Sequence, residues 1–345
     1  MKVSAKIRKR FNLLFKILLV SIVYSFLFFE LGQHWTQLNH ENFFNLNNHE
    51  WGLVLIALML MPLNWFVESL KWRYLIQKIE KLTALESIKA VFAGTAISIF
   101  TPNRVGDYLG RVFILKKGDR LDGIVATIVG NLSQLLVTVL LGLVSFFYFM
   151  DHITELYFHW SPLFTVVFRL VIVLIALGLL MLFLNFPALE KRFNSRLELH
   201  KYPILKHLNF LSEFSRSQIV NTLLLSLLRY LIYSLQFFIL FRAFQVELPL
   251  FEGFLMIFLI FFGITVVPSI AVAELGIRAI ITLLVFEIIG QQMPAHAEIS
   301  LINATSVLWL MNIALAAIIG GIFIFNLRFF RKSDLVEPEE KATEE

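Results

Sequence analysis

SIFTPNRVGDYLGRVFIL, residues 98–115, is the stretch on which the reading of this chain turns. Apolar sequence flanks it on both sides, yet Pro102, Arg104, Asp107 and Arg111 fall within ten positions of one another. The surrounding chain makes the bilayer the relevant solvent. It is 58% hydrophobic and 16% charged over 345 residues, with a mean hydropathy of +0.76, where a soluble domain is about half apolar and about a quarter charged. Several apolar runs approach or exceed the ~20 residues that a spanning helix needs. The fold class implied is an all-α polytopic membrane protein. Cysteine is absent, which excludes disulfides, thiol catalysis and thiolate metal sites.

Working outward, full spans are expected near 12–31, 51–70, 122–150, 163–184, 218–242 and 298–327. The first is read as an uncleaved span, because its apolar stretch ends without a small-x-small cleavage site. Lysine and arginine set the orientation, since cytoplasmic loops collect them. Residues 1–10 hold five, 71–83 hold four, 116–121 hold three, 185–217 hold six and 326–345 hold four. The loops 32–50, 151–162, 243–249 and 290–297 hold none. Both termini are therefore expected in the cytoplasm, and the protein in the plasma (inner) membrane. The +5 net charge tracks sidedness and gives no argument for nucleic acid.

This split makes 98–115 the tip of a hairpin. Segments 71–83 and 116–121 share the inner side, so residues 84–115 must enter and leave by it. Residues 250–289 must likewise enter and leave from outside. Arms of 12–20 residues would reach roughly 18–30 Å. The second hairpin carries its own broken, charged turn, TVVPSIAVAELGIRAIITLL at 265–284. Pro102 aligns with Pro268, Asp107 with Glu274 and Arg111 with Arg278, each acid four residues before its arginine, the favoured order on one helix face. About six full spans with two broken-helix hairpins entering from opposite sides form the plan of an inverted-topology repeat. Its halves lie at about 51–150 and 218–327 within a single transmembrane domain, 1–330. A basic linker, 185–217, joins the halves, and a polar tail follows at 331–345.

Charges at membrane depth usually face a cavity or a partner. The i, i+4 pairs Asp107–Arg111 and Glu274–Arg278 read in two compatible ways, as latches holding the hairpins shut or as parts of an anion site. A helix break exposes N–H groups beside arginine, and arginine grips phosphate bidentately. Arg104 has no acid four residues away and is expected to be free for a ligand. Arg229, about eleven residues from either end of its span, is too deep to snorkel comfortably. Lys16, Arg169 and Arg242 are expected to reach the interface, Trp72 to anchor there, and residues 203–214 to form an interfacial amphipathic stretch. Asn131 and Gln134 share a face of the third span, as interhelical glue or as a path lining. Motifs for ATP hydrolysis or zinc hydrolysis are missing, and no metal or cofactor is expected.

TPNRVGDYLGR resembles the first signature, and PSIAVAELGIR the second, of the flippase-like membrane domain found in lysylphosphatidylglycerol synthases. SLLRYLIYSLQFFILFRAF and TSVLWLMNIALAAIIGGIF fit the same pattern, and the resemblance extends over residues 11–327. In the two-part synthases this domain is credited with moving aminoacylated phosphatidylglycerol to the outer leaflet. The soluble transferase domain is not recognised in this sequence, so the synthase activity is not carried over. The resemblance implies a central cavity built from Pro102, Arg104, Gly106, Asp107 and Arg111 with Pro268, Glu274, Gly276 and Arg278. Relatives often carry charge in the third span, where this chain has neutral Asn131 and Gln134, which leaves any ion coupling open.

The expectation is thus a lipid translocase for an anionic phospholipid or polyprenyl-phosphate-linked lipid. Arg104, Arg111, Arg229 and Arg278 would bind the substrate, with Asp107 and Glu274 gating or proton-linked. Two alternatives stand beside it: a membrane accessory subunit of a lipid- or glycan-synthesis enzyme, and a secondary carrier for a small anion.

Overall fold

The computed structural model describes residues 5–35, 46–99, 101, 104–155, 160–197, 205–267, 271–289 and 297–329. Among them every regular element is helical. In chain order these are α1 (Ala5–Trp35), α2 (Asn48–Ile76), α3 (Ala84–Ser98), α4 (Val105–Val112), α5 (Arg120–Ile153), α6 (Pro162–Leu184), α7 (Phe186–Leu197), α8 (Arg216–Ala243), α9 (Leu250–Val266), α10 (Ala271–Ile288), α11 (Ala297–Trp309) and α12 (Leu315–Phe323). A π turn, Leu310–Ala314, joins α11 to α12 in one run. Five helices are long and apolar enough to cross a bilayer: α2, α5, α6, α8 and the run Ala297–Asn326. The expected first span lies on α1, whose apolar described stretch is Phe11–Ser25. The protein is a multi-pass membrane protein.

Local chemistry fixes where these helices begin. Reciprocal capping boxes start α2 (Asn47 with Glu50), α3 (Thr83 with Glu86) and α8 (Ser215 with Gln218), each satisfying two backbone donors that would otherwise be orphaned. Ser161 caps α6, with Pro162 in the first turn where its missing N–H is harmless.

The two hairpins are antiparallel pairs, α3 with α4 and α9 with α10. Gly94 and Gly110 let α3 and α4 touch almost backbone to backbone: a Cβ on Gly110 would stand 2.6 Å from the Gly94 Cα. The α4 arm has only eight residues, fewer than the twelve expected, because the chain turns away at Phe113–Asp119. The arms of the second hairpin, at 17 and 18 residues, have the expected length.

Each hairpin packs on the far half of the chain. α3 packs on α12, where a Cβ on Gly320 would strike the Phe92 carbonyl oxygen. α9 packs on α5 through Gly142 and Phe262. Helices α2 and α8 pack on each other between the two hairpins. Two apolar cores result. One is built around Trp65, Phe92, Ala93 and Trp309 beside the first hairpin, the other around Phe237, Phe241, Met256 and Ile260 beside the second. α6 stands apart and buries only Thr165, so its apolar surface is left for lipid.

Among the described residues, parts of the lysine- and arginine-rich segments (78–80, 116–120, 213 and 328–329) meet at one end of the molecule, the basic end. Glu80 ties them together: its carboxylate accepts the backbone N–H groups of Lys116 (2.9 Å), Lys117 (2.8 Å) and Gly118 (2.9 Å). Burial pushes this carboxyl up, but those donors outweigh it and hold Glu80 below the ordinary carboxylate range. Arg120 reaches the carbonyl of Phe329 (3.0 Å), and the Lys78 ammonium donates to the carbonyl of Glu213.

Several sequence expectations need correction. Trp72 is no interfacial anchor: it is 1% exposed and donates its indole N–H to Thr127 Oγ1 at 3.0 Å. α2 runs on past its membrane-length stretch, so Lys71, counted above with a basic loop, is buried as well. Lys16 does not simply snorkel; its ammonium caps the last span through the Phe325 carbonyl at 2.8 Å. The stretch at 203–214 is a 3-10 run, Leu205–Glu213, with Phe210, Leu211 and Phe214 packed into the protein; residues 203 and 204 lie outside the described residues.

Candidate functional site

At the break in the first hairpin, Thr101 sets the geometry. Its hydroxyl donates to the Ser98 carbonyl (2.9 Å) and accepts the N–H of Gly106 (2.8 Å). Gly106 has no room for a side chain, since a Cβ would lie 2.5 Å from the Ile97 carbonyl oxygen. Arg104 is the N-cap of α4 and sits in the left-handed region at φ 57°, ψ 30°, a conformation that costs a non-glycine residue about 1–3 kcal/mol. Its guanidinium reaches across to the other hairpin. Nη2 lies 2.8 and 2.9 Å from the two carboxylate oxygens of Glu274, on α10. Arg104 is therefore not free, as the sequence led one to expect: its acid is 170 positions away rather than four. Glu274 also holds Arg278 at 2.6 Å, so one carboxylate is shared between the hairpins.

A second cluster centres on Glu68 of α2, which is 1% exposed. Its carboxylate lies 2.7 Å from Arg111 Nη1, 2.8 Å from Lys71 Nζ and 3.3 Å from Arg229 Nη1. Arg111 is fixed from its other side by Asp107 at 2.7 Å. Arg229 lies over the Trp65 ring at 5.3 Å and meets the Gln134 amide oxygen at 3.4 Å, while its Nε has no partner among the described residues. Taken together, five cations (Lys71, Arg104, Arg111, Arg229, Arg278) face three carboxylates (Glu68, Asp107, Glu274), an excess of two positive charges.

The excess charge borders a cavity. A space of about 160 Å³ opens between α2, α5, α8, α9 and α10, lined by Arg229 and Arg278 with Asn64, Gln134, Thr138 and Thr265. Aromatic and aliphatic walls come from Tyr230, Tyr233, Phe261 and Ile264, and no carboxylate is among the lining residues. Behind Asn64 runs a buried amide chain. Asn64 Nδ2 donates to Asn312 Oδ1 (3.2 Å), Asn312 Nδ2 to Gln236 Oε1 (2.9 Å) and Gln236 Nε2 to the Ala57 carbonyl (2.8 Å). Asn312 sits on the π turn, a local unwinding often found at functional positions.

The structure thus brings Arg229, Arg278 and Gln134 to the cavity, and Arg104, Asp107, Arg111 and Glu274 into the ion-pair network behind it. Asn131 is half-buried and is not among the cavity's lining residues. Gly276, expected at a break, lies inside α10. Pro102 and Pro268 lie outside the described residues. Sequence reading missed Glu68, although an acid inside the run WFVESLKW is itself a signal. It also missed Asn64, Gln236 and Asn312, whose partnership is tertiary. At the basic end, the ligand atoms of Asp119, Asp122 and His207 lie within 4.8 Å of one another, a partly exposed group that ties the 3-10 run to the start of α5.

Helical spans, two inward-folded hairpins and a buried arginine cavity define a class of polytopic membrane protein. The family model described as lysylphosphatidylglycerol synthase TM region matches residues 13–314, and the chain belongs to that family. Comparisons with curated proteins and with solved structures returned no match.

Proposed function

We propose that this protein is a lipid translocase that carries the phosphate of an anionic phospholipid or polyprenyl-phosphate-linked lipid through the Arg229–Arg278 cavity. The observation that carries this reading is the cavity's charge. Two arginines and a set of hydroxyl and amide groups surround a space the size of a head-group phosphate, with no acid facing it and two positive charges uncompensated nearby. Buried charge of one sign calls for a counter-charge, and guanidinium groups suit phosphate by geometry as well as sign. Membership of a family named for a lipid synthase supports a lipid role over a soluble one. The packing of each hairpin on the opposite half supports the inverted-repeat plan, with the basic end in the cytoplasm. In this reading Glu274, shared by Arg104 and Arg278, is the joint that loosens when the hairpins part.

The test is leaflet exchange of a fluorescent anionic lipid in liposomes, followed by dithionite quenching. Arg229→Gln with Arg278→Gln is the informative pair, because Glu68 and Glu274 each keep another cation. Loss of charge-assisted contacts to phosphate, about 1.5–3 kcal/mol each, predicts at least a tenfold fall in exchange. Exchange by the wild type no faster than in empty liposomes overturns the reading for that lipid. A cavity this small also suits inorganic phosphate, and saturable phosphate uptake without lipid exchange would favour a small-anion carrier instead.

A further inference from the structure

A second concavity lies at the basic end, apart from the central cavity. It measures about 430 Å³ and is lined by Leu70, Arg73 and Tyr74 of α2, Gln77 and Lys81 just beyond it, and Leu225 of α8. Surface lysines and arginines at a basic membrane edge are ordinarily just solvated, but three features set this pair apart. First, Arg73 is pre-organised: its Nε–H donates to the Leu82 carbonyl at 2.8 Å, which fixes the guanidinium and leaves its two Nη groups to the cleft. Second, among the described residues no carboxylate pairs with Arg73 or Lys81. The neighbouring acid, Glu80, has its carboxylate turned to the backbone of residues 116–118. Third, the floor is apolar, from Leu70 and Leu225, and Tyr74 is steadied there by the Asn221 amide at 3.1 Å. The position matters too. Leu225, which lines the cleft, and Arg229, which lines the central cavity, are four residues apart on α8, a rise of about 6 Å or roughly one helical turn along that helix.

We infer that this cleft is a separate binding site for the phosphate of an anionic lipid in the leaflet at the basic end, with Arg73 and Lys81 holding the phosphate oxygens and Leu70 and Leu225 the first carbons of the tails. Basic pockets between membrane helices on the cytoplasmic side take anionic head groups by this combination. The head group's next station is Arg229. That loading role rests on the translocase reading above; binding at the cleft does not.

The experiment uses the full-length protein. Native mass spectrometry counts phosphatidylglycerol retained by the wild type, by Arg73→Gln with Lys81→Gln, and by Arg229→Gln with Arg278→Gln. Phosphatidylcholine and inorganic phosphate serve as separate arms. The expected result is that the Arg73/Lys81 variant loses one phosphatidylglycerol, or binds it at least tenfold more weakly, and that adding Arg73→Gln and Lys81→Gln to the Arg229/Arg278 variant lowers its count by one further. Arg73→Lys with Lys81→Arg retains the charge and should bind at intermediate strength, which separates loss of the site from loss of the fold. Unchanged phosphatidylglycerol binding in the glutamine variant overturns the assignment. So does a site that fills equally well with phosphate alone. In the exchange assay the same variant should slow transport at low phosphatidylglycerol content and recover at high content, as a loading defect does. If cleft binding follows the expected pattern but no protein exchanges lipid, the translocase reading fails and the cleft stands.

Discussion

Arg104 and Arg229 share a property that no local pattern in the chain records: each is an arginine whose acid belongs to the other half of the molecule. Arg104 finds Glu274, and Arg229 finds Glu68. The local pairs Asp107–Arg111 and Glu274–Arg278 were legible, because i, i+4 spacing on a helix leaves little choice of neighbour. Glu68 was not, since beside its local neighbour Lys71 its significance lies in Arg111 and Arg229, which reach it from two other helices only after folding. Removing an acid from such a cluster leaves buried charge uncompensated, which costs about 3–5 kcal/mol. Glu68→Gln strands Lys71 and Arg229 and leaves Arg111 with Asp107 alone, and should lower stability by about that amount. Glu274→Gln should do less, because Arg104 keeps 42% of its side-chain surface exposed. Thermal or denaturant unfolding in detergent, compared between the two variants, checks the order; equal stability of Glu68→Gln and wild type would contradict it.

The hairpins were readable as elements from charge parity alone, because a segment flanked by two loops on one side must turn back. Their inner geometry was not. The shortness of α4 follows from the close α3–α4 contact at Gly94 and Gly110 and from the turn at Phe113–Asp119, neither of which has a periodic signature. The base of the first hairpin is closed by Glu80 on the backbone of residues 116–118. A carboxylate held below its unfolded value, about 4.3, contributes stability that is fully present above that value and is lost as pH falls through the folded one. Glu80→Gln should therefore melt below the wild type at pH 7. The gap should narrow as the pH is taken below about 4, where the wild-type carboxyl is protonated too. Melting curves of both proteins between pH 7 and pH 3 test this, and a gap that widens towards acid would contradict the sign.

Across the whole molecule, the two cross-half pairs are reciprocal: the arginine of the first half meets the acid of the second, and the arginine of the second meets the acid of the first. The sequence carried the halves as a resemblance between two short motifs; of the cross-half pairs, Arg104–Glu274 joins the hairpins and Arg229–Glu68 joins the spans α8 and α2. If the hairpins must separate for transport, a bond between their tips should stop it. The absence of native cysteine makes the trial clean. Arg104→Cys with Glu274→Cys, bridged by a short thiol crosslinker with a reducible link, should lose leaflet exchange and regain it on reduction. Exchange that continues through the bridge would mean the hairpin contact is static. The same pairs bear on how the protein is made. α2, α4 and α10 each bring their own counter-ion into the bilayer, in Glu68–Lys71, Asp107–Arg111 and Glu274–Arg278. α8 has no acidic residue at all, so Arg229 enters as a bare charge, at a cost of about 2.5–3.5 kcal/mol. Synthesis delivers the N-terminal half first, and α2 is already in place with Glu68 when α8 leaves the ribosome. The acid precedes the arginine in biogenesis, and a permuted chain beginning at α8 would have to insert that helix with no partner waiting.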